Sequence, residues 1–126
     1  MENSDKKVLV VEDDKDFLWI LKQGLAGKGF SVVFAEDGEQ GLKMAEEEKP
    51  DLILLDILLP KMDGITVAKK IKEKGLALQI IFLTNLKDTE HIGEAVSAME
   101  DTEYIIKSDL HLDQIVERVK EKLGIK

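Results

Sequence analysis

Two apolar runs in this chain end in carboxylates: Val8-Leu9-Val10-Val11 leads into Glu12-Asp13-Asp14, and Leu52-Ile53-Leu54-Leu55 ends at Asp56. Short continuous apolar runs have the character of strands buried on both faces. In open parallel α/β sheets, ligands bind in the crevice beyond the carboxyl ends of such strands. Acids placed there suit a hard cation held by oxygen ligands. They also require a counter-charge, because at about 5 Å and an effective dielectric near 20 each like-charged pair costs roughly 3 kcal/mol. A divalent cation, a shared proton or a nearby lysine would offset that repulsion.

Three more residues sit at strand ends. Thr84 closes Ile80-Ile81-Phe82-Leu83, Lys107 closes Tyr104-Ile105-Ile106, and Leu58 lies two past Asp56. Parallel strands joined by right-handed crossovers bring all of these to one rim. Mg²⁺ keeps several waters and needs only one or two carboxylates plus a backbone carbonyl, so Asp13 and Asp56 would ligate it, with Glu12 in support. The Lys107 ammonium and Thr84 hydroxyl add donors for phosphoryl oxygens, and a carboxylate beside a metal can act as nucleophile. The chemistry suggested is phosphoryl transfer to Asp56. Taken singly these residues have blander readings. Glu12-Asp13 would serve as a helix cap and first-turn acid pair, Thr84 and Tyr104 as ordinary strand residues, and Lys107 as a solvated amine. Together they favour the nucleophile.

The elements that must position them alternate along the chain. Strands are expected at 7–12, 30–35, 51–56, 79–84 and 103–107, and helices at 15–27, 38–48, 64–74, 88–99 and 111–123. The alternation implies βαβ units and a parallel sheet. Gly29 and Gly75 follow two of the helices as stops. On the second helix Leu42 and Ala45 point inward; on the last, Leu112, Ile115, Val116, Val119 and Leu123 form the inner stripe.

At 126 residues the chain fits one domain, 1–126, with a polar N-terminal tail at 1–6. A formal net charge of -8 argues against nucleic-acid binding by this chain. It has no cysteine, and His91 and His111 are too isolated to suggest a zinc site. The polar start and the lack of any run near eighteen apolar residues point away from a secretory signal or membrane span, leaving a cytoplasmic protein as the default.

On these residues the chain resembles the receiver domain of two-component response regulators: Val8-Leu-Val-Val-Glu12-Asp13-Asp14, then Asp51-Leu-Ile-Leu-Leu-Asp56 through Pro60-Lys-Met-Asp63-Gly64, then Ile80 to Thr84, then Tyr104-Ile-Ile-Lys107. The resemblance implies a flavodoxin-like, doubly wound sheet of five parallel strands in the order 2-1-3-4-5, with five helices. It implies that Asp56 accepts a phosphoryl group from a histidine kinase or histidine phosphotransfer protein. Mg²⁺ would sit among Glu12, Asp13, Asp56 and the Leu58 carbonyl, with Lys107 pairing the phosphoryl group. Thr84 would sense it, and Tyr104 would rotate to remodel the surface formed by 88–99, 103–107 and 111–123 for a downstream partner or a phosphorylation-dependent dimer. Such a domain is a signalling module rather than an enzyme, acting alone or as a piece of a longer protein.

Some positions depart from the family. Ser108 stands where proline is usual, so a trans Lys107-Ser108 peptide is predicted. Leu58 and Leu86 are apolar where side chains tune water attack, which predicts a long-lived phosphoform. The first helix carries surplus apolar surface: beside the core-spaced Phe17, Ile20, Leu21 and Leu25, Leu18 and Trp19 are candidate partner anchors. Core packing is the preferred reading of Trp19. Rival functions fare less well. A haloacid-dehalogenase-like phosphatase needs a second aspartate where Leu58 stands, and a flavodoxin-type cofactor binder needs a phosphate loop that Glu12-Asp13-Asp14 would repel. The nearest alternative is a receiver-like interaction module that works without phosphorylation.

Overall fold

The computed structural model describes residues 6–85, 102–109 and 111–125. Strands β1 (Lys7–Val11), β2 (Ser31–Ala35), β3 (Leu52–Asp56), β4 (Gln79–Thr84) and β5 (Thr102–Ile106) form one parallel sheet in the order β2-β1-β3-β4-β5. Among the described residues there are four α-helices: α1 (Lys15–Gly27), α2 (Gly38–Glu48), α3 (Gly64–Glu73) and α4 (Leu112–Lys122). The helix expected at 88–99 lies outside the described residues, as does Leu86. Observed boundaries shift from the expected ones by at most a residue or two, within the usual ambiguity of element ends.

β1, β3 and β4 occupy the middle of the sheet, where helices cover both faces, and their apolar runs supply a core on each side. On one face Val8, Val10, Leu52, Leu54, Ile81, Leu83 and Ile105 meet Leu18, Leu21 and Leu25 of α1 and Ile115, Val116 and Val119 of α4. On the other, Leu9, Val11, Ile53, Leu55, Ile80 and Phe82 meet Ala45 of α2 and Val67, Ala68 and Ile71 of α3. Helix starts are set locally. Asp14, Asp37 and Asp63 cap α1, α2 and α3 by accepting backbone N–H bonds, and His111 and Gln114 close a capping box on α4. Gly29 and Gly75 follow their helices at φ 93° and 69°, the left-handed geometry that glycine adopts without strain.

The structure corrects the reading of α1. Leu18, expected as a partner anchor, is 5% exposed and packs in the core, whereas Trp19, preferred as a core residue, is 62% exposed. Ile20 is 42% exposed and lies outside the inner stripe, whereas Phe17, half-buried, packs against the core beside it as its spacing predicts. With 3.6 residues per turn, Leu18, Leu21 and Leu25 form a line that places Trp19 and Ile20 outward. The surplus of apolar residues made two stripes plausible, and the close packing of Gly24 against Leu112 of α4 goes with the one used.

Candidate functional site

The β1–α1 turn is built by its own acids. Glu12 donates its N–H to the Ala35 carbonyl at 3.0 Å, and its Oε2 accepts the Asp14 N–H at 3.0 Å. Asp14 Oδ1 in turn accepts from Asp16 and Phe17, at 3.0 and 3.3 Å. Asp14 is therefore occupied as a cap, while Asp13 is left exposed beside the strand ends. Glu12 and Asp56 are buried, at 1% and 6% exposure. One carboxylate oxygen each from Glu12, Asp13 and Asp56 falls within 4.8 Å of the others.

Lys107, in a single 3-10 turn (Lys107–Asp109) following β5, points its ammonium into this cluster. Nζ ion-pairs with Glu12 Oε1 and donates to Asp56 Oδ2 at 3.1 Å, and the side chain is 10% exposed. Burial works against the lysine's charge, but the contacts with Glu12 and Asp56 outweigh it and hold the pKa above the ordinary value. At Glu12 a rise favours the neutral form instead. Its burial, assisted by the charge of Asp56, raises its pKa to about 7 although Lys107 and the Asp14 N–H oppose the rise. The three carboxylates and one ammonium, all ionised, carry two net negative charges, which is the charge one divalent cation balances. The donor set is all oxygen, partly open at Asp13, and so fits Mg²⁺ with retained waters.

The β3–α3 connection, which carries Leu58, is held from two sides by glycines. Gly64 donates its N–H to the Ile57 carbonyl at 2.8 Å, and a Cβ added to it would lie 2.0 Å from the Asp56 carbonyl oxygen. Gly38 donates to the Pro60 carbonyl at 3.2 Å, and its Cβ would lie 1.8 Å from the Met62 carbonyl oxygen. Lys61 turns the loop at φ 69°. The Leu58 side chain faces solvent, and its carbonyl belongs to a segment fixed by backbone contacts on both sides.

Thr84 is fully buried at the end of β4. It pairs in register with Ile106, one step beyond the Asp56–Leu83 pair, while Tyr104 pairs with Phe82. Strand alternation sends Asp56 to the sheet face of Leu52 and Leu54, and Thr84 and Tyr104 to the opposite face with Phe82. All the predicted residues of the rim are thus at strand ends; Glu12, Asp13, Asp56 and Lys107 are in mutual reach, and Thr84 stands beside them on the far face. No peptide bond among the described residues is cis, so Lys107-Ser108 is trans as predicted. Asn85 is exposed.

Sequence reasoning missed three contributors. Phe17 places its ring 4.8 Å, centroid to Nζ, from Lys107. Its place four residues before Leu21, at the first turn of α1 next to the acids, was the available signal. Gly38 and Gly64 each follow an aspartate that caps the next helix, a pattern readable as turn chemistry alone.

Comparison with known proteins agrees with this geometry. Residues 8–120 match the response regulator receiver domain. The alkaline phosphatase synthesis transcriptional regulatory protein PhoP of Bacillus subtilis is 48% identical over 86 residues, covering 68% of this chain and 35% of that protein. The transcriptional regulatory protein DltR of Streptococcus agalactiae is 39% identical over 114 residues, covering 90% of this chain and 50% of that protein. The chain thus spans half or less of the length of these relatives. Among solved structures, a CheY-like response regulator receiver domain protein from Methanospirillum hungatei superposes with a TM-score of 0.85 at 32% identity, covering 94% of each chain. A two-component response regulator from Clostridium difficile gives 0.85 at 33% identity, covering 94% of this chain and 96% of its own. Sequence and backbone lead by separate routes to one assignment, and the chain belongs to the response regulator receiver domain family.

Proposed function

We propose that this receiver accepts a phosphoryl group on Asp56 from a phosphohistidine of a histidine kinase or histidine phosphotransfer protein, with Mg²⁺ held by Glu12, Asp13, Asp56 and the Leu58 carbonyl. The observation that carries the proposal is Lys107 Nζ at 3.1 Å from Asp56 Oδ2 inside a cluster of three carboxylates. Asp56 attacks phosphorus through a carboxylate oxygen. A P–O bond forms, the P–N bond to imidazole breaks, and the imidazole leaves with its electron pair and takes a proton. Lys107 neutralises charge on the transferred group and orients it by hydrogen bonding. Bound Mg²⁺ would supply charge compensation between the carboxylates and the phosphoryl oxygens. Asp13, the exposed member of the cluster, marks the side from which the donor enters.

The acylphosphate replaces one negative charge by about two and adds acceptor oxygens. Thr84 is the donor nearest in register on the neighbouring strand. Its movement toward the phosphoryl group opens space on the face it shares with Tyr104, whose rotation then alters the β5 surface for a downstream protein or a second receiver. Leu58, apolar and exposed, leaves water without a polar guide near the acylphosphate, which favours a slow return. The relatives' names place their output in transcription, and we infer the same here, with DNA contacts made elsewhere than on this acidic surface.

Incubation with a small phosphodonor and Mg²⁺, followed by intact mass, tests the reading. One phosphoryl group should be gained by the parent protein and none by Asp56→Asn. Absence of any gain in the parent protein sinks the proposal and leaves the phosphorylation-independent module in its place.

A further inference from the structure

We infer that Phe17 is a positioning residue for Lys107, holding the ammonium over Asp56 through its ring face. The inference rests on the phosphoacceptor reading above and adds to it a residue outside the acid cluster.

An ammonium has three N–H bonds. At Lys107 two sides are taken by Glu12 Oε1 and Asp56 Oδ2, and the ring of Phe17 lies 4.8 Å from Nζ. That distance is within the range where the negative face of an aromatic ring attracts a cation, and the attraction is stronger where water is excluded, as it is for a side chain 10% exposed. Phe17 is not free to drift. Its N–H is tied to Asp14 Oδ1 in the same turn that carries Glu12 and Asp13. On the neighbouring face of the helix, Gly24 packs against Leu112 of α4 so closely that a Cβ would lie 2.8 Å from the leucine. Ring, acids and lysine therefore share one frame.

The need for a third contact follows from competition. Glu12 and Asp56 both hold the ammonium, and phosphoryl transfer requires it on the Asp56 side. A cation held by Glu12, Asp13 and Asp56 would compete with the lysine for Glu12 and would leave a four-carbon side chain with many rotamers less restrained. The ring offers Nζ an attraction that does not depend on Glu12. Leucine at position 17 would fill much of the space without the charged attraction.

The experiment is a double-mutant cycle on Mg²⁺-dependent phosphorylation by a small phosphodonor, with Phe17→Leu, Lys107→Met and both together. Phe17→Leu should slow phosphorylation about three- to tenfold, Phe17→Tyr should stay near the parent rate, and Phe17→Leu should cost nothing further once Lys107 is methionine. A second reading needs no phosphorylation: the Lys107 side-chain protons should show an upfield ring-current shift in NMR spectra, and it should vanish in Phe17→Leu. Unchanged rates in Phe17→Leu, a penalty that persists in the Lys107→Met background, or no ring-current shift would each overturn the inference while leaving Asp56 as acceptor. Failure of the parent protein to be phosphorylated despite the ring-current shift would instead remove the underlying function, and with it the role given to Phe17.

Discussion

Replacing Lys107 by methionine isolates the charge that holds the pocket together. The side chain keeps most of its apolar stem and loses the ammonium that lies between Glu12 and Asp56, which are 1% and 8% exposed at their side chains. Removing one member of a buried ionic cluster costs about 3–5 kcal/mol when its partners stay charged. They need not stay charged at every pH. Glu12 already holds its proton up to about 7 in the presence of Lys107, and the loss of the lysine pushes that value higher. At pH 6 the variant therefore folds with Glu12 neutral, and it should be weaker than the parent by only about 1 kcal/mol. From pH 6 to pH 8 the penalty grows by about 1.4 kcal/mol, because the parent's Glu12 sheds its proton near 7 while the variant's keeps it. Mg²⁺ should restore the missing positive charge: at a hundredfold excess over Kd it adds about 2.7 kcal/mol, and the variant should gain more than the parent. Urea unfolding at pH 6 and pH 8, with and without Mg²⁺, reads all four quantities. An equal loss at both pH values, without selective recovery by the ion, would mean that Lys107 acts through packing and that the electrostatic account of the pocket is wrong.

The parent protein has a pH signature of its own. The pKa of Glu12 is raised from 4.5 to about 7, so the folded state holds a proton that the unfolded state releases. Metal-free stability should fall by up to about 3 kcal/mol as pH rises through that window, while Mg²⁺ affinity, measured by calorimetric titration, should rise as the proton leaves. Gly64→Ala should lower stability by more than the about 1–3 kcal/mol typical of overpacking, because the added methyl meets the Asp56 backbone at 2.0 Å. Gly27→Ala, which meets nothing within 4 Å, should be neutral or stabilising by up to about 1 kcal/mol in the same thermal melts. Leu18→Ala should cost about 2–5 kcal/mol, and Trp19→Ala should stay within about 0.5 kcal/mol; a reversal of that order would restore the other face of α1 to the core.

The five strands and the acid cluster were legible because each depends on short-range signals, whereas the order of the strands in the sheet came from the family resemblance. Apolar runs of strand length end at Asp56 and before Glu12, and alternation with helices leaves few topologies to consider. The inward stripe of α1 was not legible. Phe17, Leu18, Trp19, Ile20 and Leu21 form five consecutive apolar residues, and periodicity cannot choose between faces when every position qualifies; the packing against α4 at Gly24 chooses. Lys107 over Phe17 was hidden for a related reason, since it joins residues ninety positions apart through a contact that leaves no local pattern. The close approaches at Gly38 and Gly64 were equally out of reach, because a sequence shows that a side chain is missing but not which carbonyl fills the space.

Asp56 and Thr84 leave the sheet in opposite directions, and that arrangement limits how a message can travel. A modification made above one layer of helices has to be noticed beneath the sheet, yet the membrane of backbone between them is a continuous hydrogen-bonded ladder that resists bending. Only the outlets of neighbouring strands, where the ladder stops, offer a passage. Information can then cross at the lip while the interior stays still, so the domain can alternate between two faces for its correspondents without reopening the core that keeps it folded.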